Sequence, residues 1–220
     1  MVDGIYQDDT IVECLTERVL AEGVRLFQVH WLAENEEEHV GRLLEFFNPA
    51  LGARVLDVGC GVGGLALAMA RRRPDIKWTL LNVSVSQLRR CPIGMERVHA
   101  AAEDIPLPDG SQEAVLMSYV LGHVEVERAF QEAARVMKPG GVLFVYDMLA
   151  EEPSLLRMHL LYDAVPWSVL MWAAAAADLR LDVALSPMVT STAVFCRFAT
   201  WKQRLAAGTA TPIIARFLRC

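Results

Sequence analysis

The sequence predicts an α/β fold in which helices cover both faces of a doubly wound, seven-stranded, mostly parallel sheet. Short apolar strands alternate with helical segments from Asn48-Pro49 to about residue 147, and such alternation is typical of a parallel sheet. A glycine-rich turn joins the first of these strands to a helix. With 220 residues, of which 54% are hydrophobic and 22% charged, the chain fits one large globular domain.

The elements up to residue 147 follow one another regularly. The predicted strands are Arg54–Val58, Lys77–Val83, Glu96–His99, Glu113–Tyr119 and Val142–Asp147. The predicted helices cover residues 9–28, 35–47, 63–73, 86–91 and 125–137. Pro74 and Pro92 end two of the helices, and the run Lys138–Gly141 predicts a turn.

The last third of the chain is less regular. Its pattern predicts two helices over residues 153–178, a strand over 179–185, a helix over 189–206 and a final, antiparallel strand over 212–218. Six aromatic residues are candidates for the wall of a substrate pocket, with core packing as the alternative. They are Tyr162, Trp167, Trp172, Phe195, Phe198 and Trp201.

Composition argues against several kinds of partner. The formal net charge of −6 disfavours nucleic acid. The five cysteines are odd in number and widely spaced, so neither a disulfide framework nor a metal site is expected. The acidic N-terminal segment does not fit a signal peptide, and the apolar run of residues 164–177 is too short to span a bilayer. A cytoplasmic protein without membrane contact is expected, and the sequence leaves a homodimer open.

The turn Val55–Gly64 carries the strongest chemical signal. Its spacing Gly59-x-Gly61-x-x-Gly64 also fits a dinucleotide fingerprint, so the glycines alone do not decide the ligand. Asp57 would repel a pyrophosphate but attract a cationic ligand. The second strand ends at Asn82-Val83-Ser84, without the acid that nicotinamide enzymes use for the ribose. S-adenosylmethionine, which has no phosphate and carries an ammonium and a sulfonium, suits this turn better.

Three motifs in order resemble those of the class I S-adenosylmethionine-dependent methyltransferases over roughly residues 50–150. They are Val55–Gly64, Ala102–Ser111 and Arg135–Gly141. The resemblance implies a Rossmann-like fold, S-adenosylmethionine as cofactor and a single domain over residues 1–220. We expect an N-terminal helical lid over 1–48, a cofactor-binding core over 49–147, and a substrate cap with the last strands over 148–220.

The resemblance also implies a set of cofactor-binding residues. They are Asp57, Gly59, Cys60, Gly61, Gly63, Asn82, Val83, Ser84, Gln87, Ala102, Glu103, Ser118 and Tyr119. The segment Asn82–Leu88 is similar to a subgroup that includes sugar O-methyltransferases and prenyl-diphosphate or other natural-product methyltransferases. In that subgroup neutral side chains, here Asn82, Ser84 or Gln87, hold the ribose.

Two positions depart from the family. Ala101 stands where an Asp usually accepts a hydrogen bond from the adenine amino group, and Gln112-Glu113 replaces the usual Phe-Asp. Backbone groups of Ala102 and Glu103 are the expected substitute contacts. These departures motivate an alternative function, a catalytically inactive cofactor-binding or partner-docking module. A nicotinamide oxidoreductase is a further alternative.

His123 is the candidate general base. It follows the fourth strand, and Asp147 ends the fifth, so an Asp147 carboxylate could orient the imidazole. The resemblance supports the pair, because sugar O-methyltransferases carry His and Asp at these places. Packing beneath the cofactor, or capping the helix at Glu125, is the alternative role for His123. The expected function is methyl transfer to an oxygen or carbon of a small, natural-product-like acceptor.

Overall fold

The structure is a computed structural model that describes residues 32–33, 35–150, 163–186 and 211–220. The strands in these residues are β1 (Arg54–Val58), β2 (Lys77–Asn82), β3 (Glu96–His99), β4 (Gln112–Ser118), β5 (Met137–Leu149), β6 (Leu179–Leu185) and β7 (Thr211–Arg219). The helices are α1 (Glu36–Phe47), α2 (Gly64–Arg72), α3 (Val85–Arg89), α4 (Val126–Val136) and α5 (Trp167–Ala176). A 3-10 turn, Leu121–His123, follows β4.

The seven strands form one sheet in the order β3-β2-β1-β4-β5-β7-β6. The pairs from β3 to β5 are parallel, and β7 runs antiparallel to both β5 and β6. The predicted fold class, with its antiparallel last strand, is therefore confirmed. The direction of winding reverses between β1 and β4, where sheets of this type bind ligands beyond the carboxyl ends of their strands.

Apolar residues fill the space on both faces of the sheet. On one face, Leu56 of β1 belongs to a buried cluster with Phe130 of α4. On the other face, α1 packs against the sheet, and the ring of Phe47 stacks on Phe144 at 5.1 Å. Strands buried on both faces read as continuous apolar runs, which is why β1 lacks an alternating pattern.

Helix α1 has clear signals at both ends. The side chain of Asn35 accepts a hydrogen bond from the Glu38 backbone N–H at 2.8 Å, which caps the first turn. Asn48 has a left-handed φ of 46°, and its N–H donates to the Leu44 carbonyl. The predicted helix over 35–47 is confirmed to within one residue, and it forms part of the core.

The predicted turn over Lys138–Gly141 is wrong in its boundaries, because β5 begins at Met137. Met137 pairs with Gln112 and Val142 pairs with Ala114, so the intervening residues form an irregular insertion inside a strand. Gly140 has a left-handed φ of 75° there. The proline and glycines interrupt the ladder locally, while β5 pairs with β4 on either side of them.

Several sequence predictions fall outside the described residues. They include the helix over 9–28, the first helix of 153–178, the helix over 189–206, and Tyr162, Phe195, Phe198 and Trp201. Among the described aromatic candidates, Trp167 packs on the core, whereas Trp172 is 68% exposed. In the part of the chain that the structure covers, no helix has the length and apolar character needed to cross a membrane.

The guanidinium of Arg135 ties α4 to the segment that leads into β4. It donates to the carbonyls of Ile105 at 2.7 Å and Leu107 at 2.9 Å. It also forms ion pairs with Glu132 at 2.7 Å and Asp109 at 2.6 Å. A planar group with several fixed donors is required to reach all four partners together.

We predict that Arg135→Lys lowers the free energy of unfolding by about 1–3 kcal/mol, because a lysine ammonium cannot replace the several hydrogen bonds of the fork. Urea denaturation measures the change. The control is Arg128→Lys on the same helix, whose Arg128 side chain is 59% exposed and lies 4.0 Å from Glu125. That control is expected to change stability by less than ~0.5 kcal/mol. Equal losses in both variants would contradict the role of Arg135.

Candidate functional site

The glycine turn follows β1 directly and is held by backbone hydrogen bonds. The N–H groups of Gly59 and Cys60 both donate to the carbonyl of Leu81 in β2, at 2.9 and 3.1 Å. The Gly63 N–H donates to the Cys60 carbonyl at 2.8 Å. Gly59, Gly61 and Gly63 all have left-handed φ values, of 70°, 57° and 75°, which other residues rarely adopt.

The three glycines serve different purposes. A Cβ added at Gly59 would lie 2.5 Å from the Val120 side chain, and one added at Gly63 would lie 2.7 Å from Pro92. Both positions therefore need glycine because protein atoms pack against them. A Cβ added at Gly61 would meet no atom of the residues that the structure describes within 4 Å. Gly61 thus borders open space at the carboxyl edge of the sheet, where a ligand can approach the backbone.

Asp57 places a carboxylate beneath this turn. The residue is 2% exposed in β1. Burial, and secondarily the nearby Cys91 thiol, raises the pKa of Asp57 to about 8. A buried carboxyl that is costly to ionise favours a cationic ligand over an anionic one. This donor set fits the ammonium-bearing S-adenosylmethionine and disfavours a pyrophosphate.

Neutral polar side chains follow β2. The Asn82 amide donates to the Gly61 carbonyl at 3.3 Å and to Gln87 at 2.8 Å, and it accepts from the Ser84 N–H at 2.9 Å. The Ser84 hydroxyl accepts from the Gln87 N–H at 3.2 Å. Val83 is 47% exposed beside them. The structure therefore brings the predicted ribose-binding group together with the glycine turn.

The predicted adenine segment lies farther along the same edge. Ala101 is exposed and Ala102 is buried. The Glu103 carboxylate accepts the Glu125 N–H at 2.7 Å, so this side chain caps the start of α4. A helix-capping role for Glu103 was not expected from the sequence, because its partner lies 22 residues away.

Ser118 ends β4, and Tyr119 follows it. Tyr119 has a left-handed φ of 54°, and its N–H donates to the Tyr146 carbonyl at 2.9 Å. Its ring meets that of Tyr146 edge-on at 5.2 Å. The buried ring of His39 in α1 lies 5.5 Å from Tyr146 on the same face of the sheet. His39 was missed by the sequence analysis, since nothing in its local pattern marks it as more than a helix residue.

The fully buried Asp147 supports the backbone of the turn that carries His123. One of its oxygens accepts the N–H groups of Val120 and Leu121, both at 3.0 Å, and the other accepts that of Met148 at 2.7 Å. The His123 N–H closes the turn on the Val120 carbonyl at 2.9 Å. Asp147 therefore positions the residue predicted to be the base through the main chain.

The charge that acts on His123 comes from Asp163. Burial lowers the pKa of His123, and the Asp163 carboxylate opposes that shift. The Asp163 N–H also donates to the Gly122 carbonyl at 3.2 Å. Sequence reasoning missed Asp163 as a site residue because it precedes α5, 40 positions after His123 in the chain.

The structure also brings together two cysteines that are widely spaced in the sequence. The sulfur atoms of Cys60 and Cys91 lie 3.9 Å from each other although the residues are 31 positions apart. Among the residues described, no group of three or more His, Cys, Asp or Glu side chains is arranged to hold a metal ion.

Comparison with known proteins shows that part of the chain is similar to methyltransferases. Residues 56–145 match the methyltransferase domain family. The ubiquinone/menaquinone biosynthesis C-methyltransferase UbiE of Vibrio cholerae is 32% identical over 130 residues, covering 54% of this chain and 49% of UbiE. The chain thus spans about half the length of the curated relatives it matches.

Solved structures share the fold at low sequence identity. One is the geranyl diphosphate C-methyltransferase from Streptomyces coelicolor A3(2), solved in complex with Mg²⁺, geranyl diphosphate and S-adenosyl-L-homocysteine. It superposes with a TM-score of 0.73 at 17% sequence identity, and the alignment covers 84% of this chain and 78% of that chain. The [4+2]-cyclase SpnF has a TM-score of 0.72 and 20% identity, with 96% of both chains covered. These likenesses establish the fold. Over residues 56–145, the chain is similar in sequence to the methyltransferase domain family.

Proposed function

We propose that this chain binds S-adenosylmethionine at the glycine turn and transfers its methyl group to an oxygen or carbon of a small, natural-product-like acceptor. The observation that carries the proposal is the open space at Gly61, in a turn that directly follows the strand carrying the buried carboxyl of Asp57. UbiE and the geranyl diphosphate enzyme are both named as C-methyltransferases, which supports a small-molecule acceptor.

The proposed cofactor contacts follow from the chemistry of the site. When bound, S-adenosylmethionine supplies a methyl group on a positively charged sulfur. Asp57 attracts the cationic part of the ligand, and the Gly61 backbone permits close approach. Asn82 and Gln87, already bonded to each other, offer neutral hydrogen-bonding atoms for the ribose. Alignment of acceptor and methyl group is the main task of the protein, and such alignment contributes about 7–11 kcal/mol.

His123 is the proposed base for a hydroxyl acceptor. Its imidazole is half-buried, and the lowered pKa keeps it neutral and able to accept a proton at neutral pH. The Asp163 carboxylate stabilises the imidazolium that results. Asp147 maintains the 3-10 turn and therefore the place of His123 beside the sheet edge.

Direct binding and turnover test the proposal together. The full chain is titrated with S-adenosylmethionine and, separately, with NAD by calorimetry. It is then incubated with S-adenosylmethionine and a panel of phenols, sugars and prenyl diphosphates while S-adenosylhomocysteine is measured. Binding of S-adenosylmethionine with turnover of one acceptor class supports the proposal. Binding of NAD alone would overturn it, and cofactor binding without turnover of any acceptor would favour the inactive module.

We predict that Gly61→Val abolishes S-adenosylmethionine binding while the protein stays folded, because the new side chain fills the open space at the turn. The matched control is Gly140→Val, which has the same left-handed backbone strain and equally open surroundings at the opposite end of the sheet. Calorimetry and thermal unfolding are compared for both variants. Normal binding in folded Gly61→Val would show that the cofactor site is elsewhere.

We predict that S-adenosylmethionine affinity rises with pH between about 6 and 8, by up to about tenfold per unit, because binding of a cation requires ionised Asp57. The pKa of about 8 in the free protein sets the upper end of this range.

Without ligand, the effect of pH on the stability of the fold has the opposite sign to its effect on cofactor affinity. The folded state keeps the Asp57 proton, so the free energy of unfolding falls as pH rises from the ordinary carboxyl pKa of 3.8 through about 8.

Asp57→Asn tests this linkage. Its affinity is expected to be weaker and its pH dependence flatter, both for binding and for unfolding. Calorimetry in buffers of different ionisation enthalpy measures the proton released on binding. Proton release that persists in the variant would assign the linkage to another group.

We predict that His123→Ala lowers turnover of a hydroxyl acceptor by roughly 10²–10⁴-fold with nearly unchanged cofactor affinity. The wild-type pH–rate profile should show an inflection below the usual histidine pKa, and the variant should lose it. Asp163→Asn should shift that inflection to still lower pH, because the opposing carboxylate is removed. An unchanged profile in His123→Ala would leave His123 as a packing residue.

A further inference from the structure

Cys60 and Cys91 form a contact across the glycine turn. Cys60 lies inside the turn, half-buried, and Cys91 lies just after α3, 4% exposed. Their sulfur atoms are 3.9 Å apart. The third cysteine in the described part of the chain, Cys220, is exposed at a distant strand end.

Both thiols lie within hydrogen-bonding distance of Gly61, the residue that borders the open space proposed for the cofactor. The sulfur of Cys60 lies 3.5 Å and that of Cys91 3.6 Å from the Gly61 carbonyl oxygen, so a thiol hydrogen of either residue can reach it. The Asn82 amide donates to the same carbonyl. The Gly61 peptide is therefore oriented by Asn82 together with a thiol hydrogen of the reduced pair.

The surroundings make the two thiols unequal. The hydrogen bond with Cys60, and the positive charge of Arg97, lower the pKa of Cys91 below its usual range. The Arg97 guanidinium is held nearby by the carbonyls of Cys91 and Pro92, at 2.6 and 3.2 Å. The hydrogen bond to Cys91, with burial, raises the pKa of Cys60. A thiolate beside a thiol is the arrangement from which disulfides form.

We propose that Cys60 and Cys91 are a modification site, a dithiol that hydroperoxides oxidise to an intrachain disulfide, and that the disulfide form binds S-adenosylmethionine more weakly. The second half of this proposal rests on the proposed function, whereas the disulfide itself does not. No other pair of cysteines is in contact among the residues that the structure describes.

Oxidation of the two thiols to the disulfide proceeds in two steps. The Cys91 thiolate attacks one oxygen of hydrogen peroxide, the O–O bond breaks, and the products are a sulfenic acid on Cys91 and hydroxide, which takes up a proton to become water. The Cys60 sulfur then attacks the Cys91 sulfur and displaces hydroxide, which leaves as water with the Cys60 proton. Two thiols are oxidised by two electrons in all, and one peroxide is reduced to two water molecules.

Closure of the disulfide changes the turn. The sulfur–sulfur distance must fall from 3.9 Å to about 2.0 Å, so the turn that carries Cys60 has to shift. A disulfide has no hydrogen on either sulfur, so neither cysteine can then donate to the Gly61 carbonyl. The shift of the turn and the loss of this donor are expected to weaken cofactor binding by about tenfold.

The test compares reduced and oxidised full-length chain. The protein is treated with hydrogen peroxide, its remaining thiols are alkylated, and the digest is searched by mass spectrometry for a peptide pair joined through Cys60 and Cys91. Calorimetry then measures S-adenosylmethionine affinity before oxidation, after it, and after reduction with dithiothreitol. We expect the linked pair, an affinity about tenfold lower, and full recovery on reduction.

Two variants serve as controls. Cys91→Ser should give no linked pair, and its affinity should not respond to peroxide, whereas Cys220→Ser should respond as the wild type does. Linked peptides without any change in affinity would overturn the coupling to binding. Absence of the linked pair, with peroxide leaving only higher oxides or mixed products, would overturn the dithiol itself. Failure of the reduced chain to bind S-adenosylmethionine would refute the proposed function, while the peptide result would still decide the disulfide.

Discussion

The carbonyl group of Leu81 is the point on which the site is built. It accepts two consecutive N–H groups, those of Gly59 and Cys60, and so ties the end of β2 to the turn that leaves β1. A carbonyl oxygen can accept two bonds, but the donors must approach from different directions, which bends the chain sharply. Glycines with left-handed φ values allow that bend. The bend determines where α2 begins and brings the Gly61 carbonyl within reach of the Asn82 amide.

A second constraint acts on the neighbouring strands. Asp147 is fully buried, and its carboxylate accepts three backbone N–H groups, which offsets the cost of removing it from water. Two of these donors belong to the loop after β4, so the end of β5 determines the shape of that loop. The ends of β1, β2, β4 and β5 are therefore coupled, and the proposed site is one connected edge with shared geometry.

The sequence predicted the features that local patterns encode. Apolar runs marked the buried strands, glycines marked the turn after β1, and Asn35 and Asn48 lie at the ends of a periodic helix whose extent was correctly expected. The order of elements along the chain was enough to predict the seven-stranded sheet, because parallel connections obey strong topological rules.

What the sequence did not reveal are contacts between residues far apart along the chain. Three examples are the charge of Asp163 acting on His123, the hydrogen bond from the start of α4 to Glu103, and the contact of Cys60 with Cys91. They arise only when separate elements meet in the folded chain. Neither hydrophobic periodicity nor a local sequence motif predicts such long-range interactions. The boundaries of the turn over 138–141 were missed for a related reason, because Met137 before it and Val142 after it both pair with β4, a distant part of the chain.

The position of β7 has a consequence for how the chain is made. This strand comes last among the described elements, yet it lies between β5 and β6 and supplies the partner for both. On the ribosome, the long apolar edge of β5 stays open until residues 211–219 have emerged, although the earlier strands can already pair. A nascent or truncated chain that stops short of residue 211 presents that edge to other molecules. Emergence of residues 211–219 is therefore the step that closes the sheet on this side and covers the edge of β5.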